Sequence, residues 1–166
     1  MSSTIKQDMP LLASREGVWD GVYRHLDADC NIIDQHRSRL FIRFKPEEAL
    51  PYHQTNYYTW EDGRTEVHDM PCAYVNGSRE VVFDSPRIKG LVRELSDDPK
   101  SRSTFLYWER PELPGVYFYE MINVTDCGRF RSRVWQWIRE GEGLIRRTLI
   151  QEKKITNDWR SLEPKA

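Results

Sequence analysis

The sequence predicts an all-β protein, an antiparallel up-and-down barrel of about eight to ten strands behind a short N-terminal leader. Segments with period-two alternation recur along the whole chain, and Gly, Pro and Asp turn signals divide them about every 8–12 residues. No stretch sustains the 3.6-residue period of a helix. The connections read as short, so consecutive strands form a meander, and closing a meander removes its unpaired edges. A two-sheet sandwich would need longer crossovers, and the sequence offers none.

The elements follow in order. Residues 1–14 form a polar leader with a helical turn before Gly17, residues 15–155 the barrel domain, and residues 156–166 a polar tail expected to fray. The first strand covers 17–26 (GVWDGVYRHL), turns at 27–31 (DADCN), and returns over 32–44 (IIDQHRSRLFIRF). Pro46 and Pro51 bracket a loop before the strand 52–60 (YHQTNYYTW). Asp62-Gly63 marks a hairpin into 64–70. Short strands follow at 72–75, 79–84 and 87–95, then a loop at 96–101 (SDDPKS). The last four strands are placed at 102–109, 115–124, 129–139 and 143–155. No repeat or linker interrupts the run, so the 166 residues make one domain.

Composition narrows the functions. With 25 Lys and Arg against 26 Asp and Glu, the net charge gives no support to a nucleic-acid partner. Six Trp and eight Tyr are a rich supply of side chains that bury large areas and keep a polar handle, as a binding cavity requires. Cys30, Cys72 and Cys127 show no C-x-x-C or Cys/His metal spacing and read as reduced thiols. Met9 to Ala13 is too short an apolar stretch for a signal core or a membrane span, so a cytoplasmic protein with no membrane partner is expected. No P-loop, dinucleotide-binding or G-x-S-x-G pattern occurs, and no cofactor is expected.

Both faces of the predicted strands carry bulky and polar residues, which fits an aromatic-lined, partly polar interior. In VYFYEMINV, Val116, Phe118, Glu120 and Ile122 share one face, and Tyr117, Tyr119, Met121 and Asn123 the other. Glu120 on an inward face is either a desolvated acid–base group or the partner of Arg131 or Arg133. Arg129, Arg131 and Arg133 run in register with Trp135 and Trp137, so one strand face changes from guanidinium to indole. Inward, that face suits an anionic group beside the arginines and an aromatic body beside the tryptophans. Gln54, Asn56 and Tyr58 share a face whose amides and phenol suit a carbonyl or hydroxyl ligand better than a packed core. If Trp19 faces inward, alternation brings Tyr23 and His25 with it, and His25 is then a candidate for proton transfer. His36, on a strand that also carries the candidate ligand contact Arg39, reads as solvated, and His68 as part of an exposed polar edge. No two histidines have H-x-H or H-x-x-x-H spacing, so a metal site is not expected.

Gly17-Val18-Trp19 after an irregular leader resembles the Gly-x-Trp start of lipocalins and other calycin-superfamily barrels. With HQTNYYTWEDGRTE, YFYEMI, RSRVWQWIREG and LIRRTLI, the chain resembles small bacterial lipocalin-like proteins over roughly residues 15–152. The resemblance implies that Trp19 closes one barrel end beneath a late-strand Arg, for which Arg146 and Arg147 are candidates. It speaks to fold more than to activity. Three functions stay open: a barrel that binds a small hydrophobic or aromatic molecule with a polar or anionic group, a lyase, isomerase or hydratase that uses His25, Tyr23 or Glu120, and a packed barrel that binds a partner. A homodimer is compatible with each.

Overall fold

Alternation along each strand sends every second side chain to one face of a single sheet, and that sheet closes on itself. The computed structural model describes residues 4–75 and 77–164; residues 1–3 of the leader, Asn76 and residues 165–166 of the tail lie outside the described residues. The strands are β1 (Gly17–Asp27), β2 (Ile32–Phe44), β3 (Tyr52–Thr59), β4 (Thr65–Val75) and β5 (Glu80–Asp84). They continue as β6 (Lys89–Glu94), β7 (Ser103–Glu109), β8 (Val116–Val124), β9 (Phe130–Arg139) and β10 (Gly143–Thr156). Each pairs antiparallel with its sequence neighbour, and β1 pairs with β10 to close the barrel. The segments expected at 64–70 and 72–75 are one strand, since Pro71 lies where β4 is paired only on its β3 side.

The expected two-faced pattern is clearest in β8. Val116, Phe118, Glu120, Ile122 and Val124 are buried, while Tyr119, Met121 and Asn123 are exposed. The entry to β1 explains the Gly-x-Trp pattern. Gly17 has φ +126°, and a Cβ there would overlap the Thr156 carbonyl oxygen on β10. Trp19, two residues on, is fully buried, and its indole N–H donates to the Arg15 carbonyl at 2.8 Å.

The leader is less polar in effect than its composition implies. It forms two single-turn helices, α1 (Ile5–Asp8) and α2 (Pro10–Ala13), that plug the barrel end where β1 begins. Ile5, Met9 and Leu12 recur at helical spacing and enter the core beside Trp19 and Tyr23. Glu94 accepts a hydrogen bond from the Leu12 backbone N–H at 2.7 Å and ties the plug to β6. The tail does not fray throughout. Trp159, in a 3-10 helix at Trp159–Leu162, packs on Val18 and Phe41 outside the barrel, with the Arg43 guanidinium 5.3 Å from its ring. All three cysteines are free, and no described helix is long and apolar enough to cross a membrane.

Gly17 carries both a left-handed backbone and a steric conflict, whereas Gly63 (φ +85°) has open space around it. Gly63→Ala is expected to cost about 1 kcal/mol of backbone strain, and Gly17→Ala about 2–3 kcal/mol, measured as urea midpoints. Equal midpoints would rule out the steric role of Gly17 in closure.

Candidate functional site

The lumen encloses a cavity of about 350 Å³. It runs from Leu12 and Arg15 at the plugged end to Arg64, Arg87, Arg110 and Arg146 among the hairpin turns at the other. Its size falls in the lower range of small-molecule sites.

A buried ionic cluster crosses the middle. Arg133 on β9 donates from Nε to Glu120 on β8 at 2.6 Å, and from Nη1 to the Tyr23 hydroxyl at 2.9 Å and to Glu152 on β10 at 3.2 Å. Arg131 pairs with Glu152 and lies over the Trp19 ring at 4.4 Å. Gly21 faces Glu152 across the β1–β10 pairing, and a Cβ there would sit 2.5 Å from the glutamate Cγ. Its missing side chain is what gives the carboxylate room. Burial acts to raise the Glu152 carboxyl, but Arg131 and Arg133 outweigh it and hold the group below the usual range. Burial also raises the Tyr23 phenol well above its ordinary value, so it stays protonated.

A hydrogen-bonded ladder climbs the inner face of β3. Tyr52 OH donates to Gln54 Oε1 at 3.1 Å, Gln54 Nε2 to Asn56 Oδ1 at 2.9 Å, and Asn56 Nδ2 to Tyr58 OH at 2.8 Å. The amides thus orient one another along the cavity wall.

At the plugged end Arg15 is 1% exposed and donates from Nη1 to Thr104 Oγ1 at 2.6 Å. Its Nε and Nη2 have no partner, nor has Nη2 of Arg131. Among the described residues, no carboxylate lies within ion-pair distance of Arg15. Burial, and then repulsion from Arg131, push its guanidinium down to about 9, which leaves it charged at neutral pH.

At the opposite end, His25, Asp34 and His36 converge from β1 and β2. His25 Nδ1 lies 2.8 Å from Thr148 Oγ1, which also accepts from the Trp137 indole at 2.9 Å. Burial lowers His25 to about 4 and also lowers His36, so both imidazoles are neutral at pH 7.

The structure brings most of the sequence-predicted residues into this lumen: His25, Gln54, Asn56, Tyr58, Glu120, Arg133, Trp135 and Trp137 line the cavity. Tyr23 is packed just behind them against His36 and Tyr58. Trp19 is buried below the cavity, under Arg131 and Lys154 rather than Arg146 or Arg147. Those two pair with Asp27 and Leu26, at the far end of β1 from Trp19. Arg39 lies outside the lumen in an exposed ion pair with Asp20 at 2.7 Å, because it takes the outward phase of β2. Arg147 also takes the outward phase, near Cys30. His36, expected in solvent, is 6% exposed inside the barrel, and His68 lines the cavity mouth. Sequence reasoning passed over Arg15 and Asp34. A lone Arg in a leader carries no signal, but Asp34 shares the alternation phase of His36.

Removing one partner of a buried ion pair costs more than the pair contributes, since the other charge is left uncompensated. Glu152→Gln is expected to lose about 3 kcal/mol at pH 7, measured as a urea midpoint. The depressed Glu152 carboxyl contributes fully above the usual carboxylate pKa, and that contribution fades as pH falls toward the folded-state value. The acid limb of stability against pH is therefore expected to flatten in the variant; an unchanged limb would exclude Glu152 as its source.

No protein-family model and no curated protein matches the chain in sequence. Solved structures share its fold. A protein of unknown function from the DUF3598 family of Nostoc punctiforme superposes with a TM-score of 0.64 at 16% identity, over 87% of this chain and 49% of that one. The chain thus spans about half of that relative's length. The S-type phycobiliprotein lyase CPES from Guillardia theta superposes with a TM-score of 0.65 at 12% identity, over 93% of this chain and 94% of the lyase. At these identities the likeness is one of barrel fold.

Proposed function

We propose that the barrel binds a small aromatic molecule bearing a carboxylate, with the carboxylate at the plugged end and the aromatic body toward Trp135 and Trp137. The observation that carries this reading is Arg15. Three guanidinium groups (Arg15, Arg131 and Arg133) share the deep lumen with two carboxylates (Glu120 and Glu152), and Arg15 is the one without an ionic partner. A buried charge left uncompensated is costly, and a bound carboxylate would neutralise it while taking up unpartnered N–H groups of Arg15 and Arg131. The β3 amide ladder supplies oriented polar contacts midway, and indole faces line the remainder. A calycin-like carrier is the class this arrangement fits, and the barrel shared with a phycobiliprotein lyase is compatible with it.

A second, catalytic reading rests on His25 alone. Glu120 and Tyr23 are both committed to Arg133, whereas His25 is a neutral imidazole at the cavity wall.

The test compares 2-naphthoate with 2-naphthamide by tryptophan fluorescence and thermal shift. The wild type is expected to bind the carboxylate about tenfold more tightly than the amide. In Arg15→Met that preference is expected to vanish, while the unliganded variant is as stable as the wild type or more so, because a desolvated charge is gone. Equal affinity of the wild type for both probes, or a preference that survives the substitution, would overturn the carboxylate assignment.

A further inference from the structure

Antiparallel pairing sets His25 directly opposite Asp34, and His36 follows Asp34 by two residues on the same inward face of β2. One ligand atom from each of the three lies within 4.8 Å of the others. We propose that His25, Asp34 and His36 form a binding site for a divalent transition-metal ion of the zinc class, at the hairpin end of the lumen. The site is separate from the carboxylate position beside Arg15, and it stands whether or not the barrel takes an organic ligand.

His36 is the residue that demands an explanation. Its ring is held by its faces, stacked on Tyr23 at 4.8 Å and packed against Trp60 at 4.4 Å and Tyr58 at 4.7 Å. At 6% exposure, neither of its nitrogens has a hydrogen-bond partner. The nearest carboxylate oxygen, Asp34 Oδ2, lies 3.7 Å from Nδ1, too far for a hydrogen bond. A buried imidazole with both nitrogens idle is an unpaired polar group, and a metal ion would satisfy one of them.

The neighbours of the other two ligands are those a metal site requires. His25 spends Nδ1 on Thr148, which leaves Nε2 free to ligate. The Trp60 indole N–H donates to both Asp34 oxygens, at 3.0 and 3.1 Å, and orients the carboxylate without exhausting its lone pairs. Two imidazoles and one carboxylate suit zinc, cobalt or iron(II) and disfavour calcium and magnesium, which take oxygen ligands. Metal–ligand bonds near 2.0–2.1 Å need ligand atoms about 3.4 Å apart, so rotations that move each atom by roughly 1 Å would close the site. Three protein ligands leave a fourth position open to the cavity, and the Arg146 guanidinium over Trp137 would favour water, hydroxide or another anion there.

The experiment titrates untagged, chelator-stripped protein with zinc by calorimetry and with cobalt(II) by visible absorption. One saturating equivalent of zinc is expected, and cobalt is expected to give the intense d–d bands of a four-coordinate centre. His25→Gln, Asp34→Asn and His36→Gln are each expected to weaken zinc by about tenfold or more. Asp34→Asn keeps an acceptor for Trp60, so its thermal melt serves as the folding control. His53→Gln, on the outer face of β3 where the imidazole pairs with Asp69, is expected to leave zinc affinity unchanged. Absence of saturable zinc binding in the folded wild type, or affinity unchanged in folded Asp34→Asn and His25→Gln, would overturn the site.

Discussion

Closing a ten-stranded sheet forces every second side chain of the meander into one lumen, and four of those side chains form a buried ionic cluster at its centre. Arg131, Arg133, Glu120 and Glu152 lie on β8, β9 and β10, and Tyr23 brings β1 into the same cluster. Each member is buried, so none tolerates the loss of its partner. The cluster therefore pins the register of four consecutive strands across the seam where the barrel closes. Gly21 belongs to the same constraint, because the space above it is where Glu152 must lie.

The cluster also divides the lumen into two chemically different ends. Toward the helical plug, Arg15 adds a guanidinium that the cluster cannot neutralise. Toward the hairpins, indoles and phenols surround two neutral imidazoles and a carboxylate. The amide ladder of β3 runs between the two ends.

Much of this was legible from alternation alone. The paired phases of β8 and β9 place Glu120, Arg133, Trp135 and Trp137 correctly once one residue's facing is known. Gly17 and Trp19 mark the seam, since only glycine fits beneath the Thr156 carbonyl. The misplacements have a common origin. Arg39 and His36 lie three residues apart on β2 and so take opposite faces. Expecting Arg39 as a ligand contact and His36 in solvent exchanges the two phases of the strand, because nothing within β2 marks which phase faces the lumen. Arg146 and Arg147 lie at the wrong end of β10 to cover Trp19, a matter of cross-strand register that spacing within one strand does not encode.

By itself the sequence determined the meander, its strand order and the two-faced character of each strand, because these follow from periodicity and turn chemistry between near neighbours. Only the tertiary structure decided which residues meet across the lumen. Arg15 reaches its place because a leader of three apolar anchors folds back into the barrel end. His25, Asp34 and His36 meet because two antiparallel strands align them in space, and no linear spacing of histidines records that alignment.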